Sequence, residues 1–350
     1  MEQYRNQPQL PPKGEAAKRN FTMPSGEETE GKRLRFKVGS SIRERRIDKY
    51  LHGRFSNFSR VMIQKQIAAG AVTVNGKVVK CSFKLSPDDE IELALPELPS
   101  KEILAEDIPL DIIYEDDCLI ILNKQADMIV HPARGNTHGT LVNALAYYCE
   151  KLSSGLGEFR PGIVHRLDRN TTGVMVVTKN DSAQWKIAKQ FERRQAKKSY
   201  LAIVHGVPEL ESDRISVPLG IHPRVREKYA IRPEIGKEAI TFYEVLESFR
   251  GFSMLKLTPK TGRTHQIRVH LSYIKHPIVA DDMYGGKLVY LWQLKDSEAA
   301  VEEPIIGRPA LHAHTLEFKH PTTEKQVKFE APMPQDMQNL LDKLRNYRKL

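Results

Sequence analysis

Nine residues, His165-Arg166-Leu167-Asp168-Arg169-Asn170-Thr171-Thr172-Gly173, form a charged run between two apolar ones, Gly162-Ile163-Val164 and Val174-Met175-Val176-Val177. Brief, continuous, β-branched segments predict buried strands. The charged run is therefore expected to be a tight connection at the edge of a core. The same rhythm recurs from Ile112 onward, through Leu119–Leu122, Met128–Val130 and Tyr200–Val204. One clear helix is predicted among these strands, capped by Asp181 or Ser182, with Ala183, Ile187 and Phe191 on one face. Many strands with occasional helices predict an α+β fold rather than a regular βαβ winding.

The earlier part of the chain reads differently. Residues 1–33 are polar and rich in Pro, Gly, Glu and Lys, and are expected to form a disordered tail. A small compact unit is expected over 34–96. Ile47, Leu51 and Phe55 recur at helical spacing. Ser59 is a candidate N-cap for a second helix that carries Ile63 and Ile67 and stops at Gly70. Val72-Thr73-Val74 and Val78-Val79 flank Asn75-Gly76. That dipeptide suits a type I′ hairpin turn, whose two central residues need positive φ. Residues 97–104 read as a linker and 105–350 as the larger domain.

Lysines and arginines number 54 against 44 acids, a formal charge of +10. Such an excess fits a phosphate-rich partner, since cationic side chains release counterions from nucleic acid. Cys81, Cys118 and Cys149 form no CxxC pair, so neither a disulfide framework nor a cysteine zinc site is expected. His265/His270 and His312/His314 lack the companions of a metal site. No apolar run approaches the roughly 18–20 residues of a membrane span. Met1–Tyr4 lacks the apolar core of a signal peptide, so the expected compartment is the cytoplasm.

Asp168, between Arg166 and Arg169, is expected to be ionised, because nearby cations favour the charged carboxylate. It then serves as a nucleophile or base, or equally as half of a structural ion pair. Gly173 would let the backbone pass close to a neighbour or take positive φ. A second cationic run, from Thr258 to His270, includes Gly262-Arg263-Thr264-His265-Gln266-Ile267-Arg268. A helix from Thr264 onward would present free N–H groups to an anion. Arg263 and Arg268 would pair a carboxylate or phosphates. A solvated helix face is the alternative.

Taken together, these runs carry a resemblance. Residues 165–173 look like the catalytic motif of the RluA-type RNA pseudouridine synthases, and 262–268 like a later motif of that family. Asn123-Lys124, Val130-His131-Pro132 and Gly139 through Leu145 resemble its opening motif, and Lys198-Ser199-Tyr200 its Lys-x-Tyr motif. Asp281 through Gly285, Leu311 through His314, and His320-Pro321 follow in order. The stretch from Arg46 to Gly76 is similar to an S4 RNA-binding domain. The pairing of the two resembles the RluD-like branch, which modifies large-subunit ribosomal RNA. Two departures stand out. Gln125-Ala126-Asp127 replaces the family's Pro-x-Gly, so a different bend is expected there. Asp88-Asp89 replaces the usual Gly-Asp of the S4 unit.

The resemblance implies an S4 domain followed by a mixed, mostly antiparallel catalytic sheet. It implies isomerisation of uridine by a cofactor-free, metal-free reaction on a flipped nucleotide. It assigns Asp168 as the essential carboxylate, Tyr200 as the aromatic against the target base, and Arg268 as the partner of Asp168, with Arg263 as runner-up. Arg166, Arg169, Arg263, His265 and Gln266 are expected to contact RNA, as are Arg46, Lys49, Arg60 and Lys65 of the S4 unit. His165 is expected to be structural. RNA of the large ribosomal subunit or its precursor is the expected partner, with no membrane and no obligatory protein partner. A non-catalytic RNA-binding factor is one alternative. A carboxylate glycosidase is another, but it would need a second acid across the bond, and none stands near either motif.

Overall fold

The computed structural model describes residues 33–39, 45–55, 60–94, 103–132, 137–149, 152–153, 161–298 and 302–350. The tail expected over 1–33, apart from Arg33, lies outside these residues, as do Ser59 and most of the linker. Two compact units divide the chain near residue 102.

The first unit contains β1 (Arg33–Lys37), β2 (Arg45–Arg46), α1 (Ile47–Arg54), α2 (Arg60–Ala68), β3 (Val72–Val74), β4 (Lys77–Val78), β5 (Lys84–Leu85) and β6 (Glu90–Ala94). Four of the strands form an antiparallel sheet in the order β1-β6-β3-β4. The apolar positions of the helices meet it: Ile47, Leu51, Ile63 and Ile67 pack with Val72, Ile91 and Leu93. Asn75 and Gly76 have φ of 50° and 76°, the pair of positive values that a type I′ turn requires. Asp88 sits at φ 65°, a left-handed conformation that aspartate tolerates better than most residues. The turn thus keeps a geometry that glycine would adopt freely.

The second unit begins with β7 (Ile112–Glu115), β8 (Leu119–Lys124), α3 (Leu141–Tyr148), β9 (Thr172–Thr178), α4 (Asp181–Glu192) and β10 (Lys197–His205). It continues with β11 (Ser212–Ser216), β12 (Leu219–Ile221), β13 (Tyr229–Ile231), β14 (Ile240–Phe249), β15 (Phe252–Pro259) and α5 (Gln266–Tyr273). It closes with α6 (Leu291–Leu294), β16 (Leu311–Lys319), β17 (Gln326–Glu330) and α7 (Gln335–Tyr347). Nine strands form one sheet, in the order β11-β14-β15-β10-β16-β9-β8-β7 with β17 on β16. Its pairs are antiparallel except β9 with β16. The mixed, mostly antiparallel α+β architecture is the expected one.

Three local expectations are corrected. Gly162–Val164 is no strand: Ile163 alone makes a bridge, to Val177, because Gly162 turns the chain at φ 70°. Met128–Val130 likewise reduces to one bridge, Ile129 to Thr140. The cap of α4 is Asn180, whose Oδ1 accepts the Ala183 N–H at 2.9 Å. Asp181 is therefore the first helical residue.

Two apolar cores lie along the sheet. One gathers β10, β15, α5 and α7; the other gathers β8, β9, α3 and α4. Tyr200 packs against both. Between them, β9 and β16 pair through His312 with Thr172 and Ala313 with Gly173. Gly173 has φ 118°, and a Cβ there would lie 2.1 Å from the Ala313 carbonyl oxygen. Only glycine allows this approach, and it sets the position of the charged run just before it.

Candidate active site

Asp168 opens the turn that leads into β9, and its carbonyl accepts the Thr171 N–H at 3.1 Å. The next two carbonyls are held by cations from distant segments. Lys124, at the end of β8, is buried and donates to the Arg169 carbonyl at 3.0 Å. Its other two donors go to the Gln125 and Met128 carbonyls, at 2.7 and 2.9 Å. Burial pushes the Lys124 ammonium down to about 7, against the opposing pull of Asp168. Arg308 donates to the Asn170 carbonyl at 3.3 Å, while two of its nitrogens grip Asp336 of α7 at 2.7 Å each. The backbone after Asp168 is thus pinned on both sides, which fixes where the carboxylate points.

That carboxylate is left loosely held. Arg268 Nη1 lies 3.5 Å from Asp168 Oδ2, and His265 Nε2 lies 3.8 Å from it. Both distances are too long for strong hydrogen bonds. Arg268 spends its best geometry elsewhere, on a bidentate fork to the buried Asp281 with both bonds at 2.7 Å. Its guanidinium also lies 4.9 Å from the Tyr284 ring centroid. Burial opposes the charge of Arg268, but Asp281 and then Asp168 outweigh it. Arg268 is therefore a fixed cation with one nitrogen aimed at Asp168.

His265 caps α5 in the left-handed conformation, at φ 56°. The helix begins at Gln266, two residues later than expected. The Nδ1 of His265 meets the Tyr284 hydroxyl at 2.8 Å, and burial lowers its pKa despite the counter-pull of Asp168.

Tyr200 and Asp168 line one cleft, with Arg166, Lys198, Arg263 and His265 in its wall. Burial, and then the charge of Asp168, push the Tyr200 phenol far above its ordinary value, so it stays protonated at neutral pH. His165 lies behind the cleft. Its Nε2 accepts the Val176 N–H at 3.1 Å, and its ring stacks on Phe191 at 4.6 Å. Burial, with Lys198 adding to it, lowers it to about 3, so it is a neutral packing residue.

The expected RNA contacts divide in two. Arg166 is exposed and lines the cleft. Arg263 lines it too, with Nε on the Glu238 carbonyl at 3.1 Å rather than on Asp168. Arg169 instead turns to Asp127, at 2.7 Å. Asp127, in the stretch that departs from the family's Pro-x-Gly, sits in the left-handed conformation at φ 58°. Gln266 lines the cleft with its side chain committed within the protein. It is buried; its Oε1 accepts from the Thr261 hydroxyl and the Arg263 N–H, and its amide donates to Ile240 and Thr241.

In the first unit, Lys49 and Lys65 are exposed. Arg46 and Arg60 are partly committed, since both clamp the buried Asp48, with closest contacts of 3.0 and 2.8 Å. Burial alone would raise the Asp48 carboxyl, but hydrogen bonds from Arg46, Arg60 and Gln64 hold it well below the carboxylate range.

Sequence reasoning did not assign roles to Asp281, Tyr284, Lys124 or Arg308. The first three lie in stretches that match the family in order, which was the available signal. One further cluster, Asp116, Cys118 and His320, places three potential ligand atoms within 4.8 Å of one another. The Nδ1 of His320 accepts the Thr322 and Thr323 N–H groups at 3.3 and 3.2 Å. Its Nε2 must then carry the proton, donated to Asp116 at 2.7 Å. This tautomer suits a turn lock and not a metal ligand. Among the described residues, no helix is long and apolar enough to cross a membrane.

Comparison with known proteins bears directly on this geometry. Residues 118–273 match the sequence model of a family described as RNA pseudouridylate synthase. Residues 45–91 match that of the S4 domain. A Chlorobaculum parvum protein named "Uncharacterized RNA pseudouridine synthase" is 44% identical over 86% of this chain and 94% of its own length. The "Ribosomal large subunit pseudouridine synthase D" of Vibrio vulnificus is 39% identical over 86% of this chain and 91% of its own. A solved structure, "Human RNA Pseudouridylate Synthase Domain Containing 4", aligns with a TM-score of 0.52 at 26% identity. That alignment covers 67% of this chain and 93% of the human one.

Proposed function

This chain belongs to the RNA pseudouridine synthase family, and from that premise we propose that it isomerises uridine to pseudouridine in large-subunit ribosomal RNA. The observation that carries the reading is the pinned but weakly bonded Asp168 carboxylate beside Tyr200 in a cation-lined cleft. The reaction breaks the N1–C1′ bond of uridine, turns the base and joins C5 to C1′. The C5 proton leaves and N1 gains one, so no redox partner is needed. Asp168 is the carboxylate that acts on the nucleoside. Arg268 orients it, and Asp281 holds Arg268 in place. Tyr200 offers a protonated aromatic face for the base, where stacking contributes roughly 1–3 kcal/mol.

A uridine held in a stem must flip out of its stack, at a cost of about a few kcal/mol. Arg166 and Arg263 at the cleft and Lys49 and Lys65 on the S4 unit offset that cost by gripping backbone phosphates. The test is to map pseudouridines in ribosomal RNA from cells with and without this protein. Loss of one or more large-subunit sites is expected. An unchanged map would overturn the choice of ribosomal RNA as substrate.

A further inference from the structure

Among the described residues, one cation of the cleft, Lys198, has no carboxylate within ion-pair reach. Lys198 precedes Tyr200 by two residues on β10, and both line the cleft. Arg268 there is committed to Asp281, and Arg263 to a backbone carbonyl. Among the described residues Lys198 forms no ion pair, although it shares the cleft wall with Asp168. Its ammonium lies 5.7 Å from the Phe191 ring centroid, and Phe191 in turn stacks on the neutral His165. A Cβ placed on Gly262 would lie 3.6 Å from Nζ, so the ammonium reaches the loop that carries Arg263 and His265. Desolvation lowers its pKa, with no acid to oppose it. A desolvated, unpaired ammonium is costly unless an anion arrives.

We propose that Lys198 binds a backbone phosphate of the substrate RNA, one flanking the nucleoside presented to Asp168. The proposal rests on the reading of this cleft as the synthase site. A compact ammonium is a point charge suited to a phosphate oxygen. The cleft wall itself, with Arg166, Lys198 and Arg263 against the single acid Asp168, has a cationic excess that the RNA backbone would neutralise.

The experiment uses the full chain with Lys198→Met and Lys198→Arg. Binding to an unmodified large-subunit ribosomal RNA transcript is measured across a salt series, and pseudouridine formation is followed on the same transcript. For Lys198→Met, affinity at low salt should fall on the order of tenfold. The slope of log K against log salt should become shallower by about one. The kinetic loss should appear in KM rather than kcat, and Lys198→Arg should restore the slope. An unchanged slope in Lys198→Met overturns the proposal. So does a fall confined to kcat, which would place the ammonium on the reacting base. An inactive wild type would count against the functional reading, while the salt slope would still decide Lys198.

Discussion

Asp48 and Asp168 both stand near arginines in the sequence, yet the fold gives them opposite tasks. Asp48 is fully buried and accepts from Arg46, Arg60, Gln64 and the Lys49 N–H. Every lone pair is used, so it is a clamp between two helices. Asp168 keeps 22% of its side-chain surface, and its nearest cationic nitrogen is 3.5 Å away. It is held in place by its backbone, with its carboxylate only weakly bonded. The difference lies in hydrogen-bond saturation, not in the number of neighbouring arginines.

The sharpest test replaces the weakly bonded member. Asp168→Asn should lower pseudouridine formation by at least roughly 10³-fold. Thermal stability should stay near wild type, because no short bond is lost. A mutant that retains activity would erase the contrast. Asp281→Asn comes next. It leaves the buried Arg268 without its fork, and breaking one side of such a pair costs about 3–5 kcal/mol. Calorimetry should show the loss, and activity should fall with it as Arg268 drifts from Asp168.

Asp48→Ala should cost about 1.5–3 kcal/mol, the range for charged hydrogen bonds, as Arg46 and Arg60 are half-exposed and rehydrate. Its effect should be on the stability of the S4 unit and on RNA affinity, with kcat at saturating RNA retained. A fall in kcat would mean that the clamp also serves the chemistry. The smallest effect is expected from Lys49→Ala with Lys65→Ala. Each should reduce the salt slope of RNA binding by about one and leave stability within about 0.5 kcal/mol.

The pH response of the clamp follows from its sign. The folded Asp48 carboxyl lies below its unfolded value, so its contribution is complete above the ordinary carboxylate range. That contribution falls away as the pH drops below the ordinary carboxylate range and is gone once strong acid protonates the folded form.

Much of this was legible in the chain. The Asn75-Gly76 turn, the helical spacing of Ile47 and Leu51, and the β-branched runs of β8 and β9 are local patterns, and local patterns fix local geometry. Gly173 was readable as a residue needing either positive φ or close approach, and it has both. Less legible was the single bridge at Ile163, because apolar composition does not reveal that Gly162 turns the chain away. Gln266 looked like a polar contact, since nothing in the sequence shows that Thr241, Ile240 and Thr261 surround it.

The sequence by itself determined the α+β class, the two units and the charged run. These depend on residues a few positions apart. Tertiary structure alone decided that Arg268 is anchored by Asp281, that Lys124 and Arg308 pin the loop after Asp168, and that Asp48 is sealed while Asp168 is open. Those outcomes depend on which distant segments meet and on how much water they exclude. Hydrogen-bond saturation and desolvation are set by that meeting, so no local spacing encodes them.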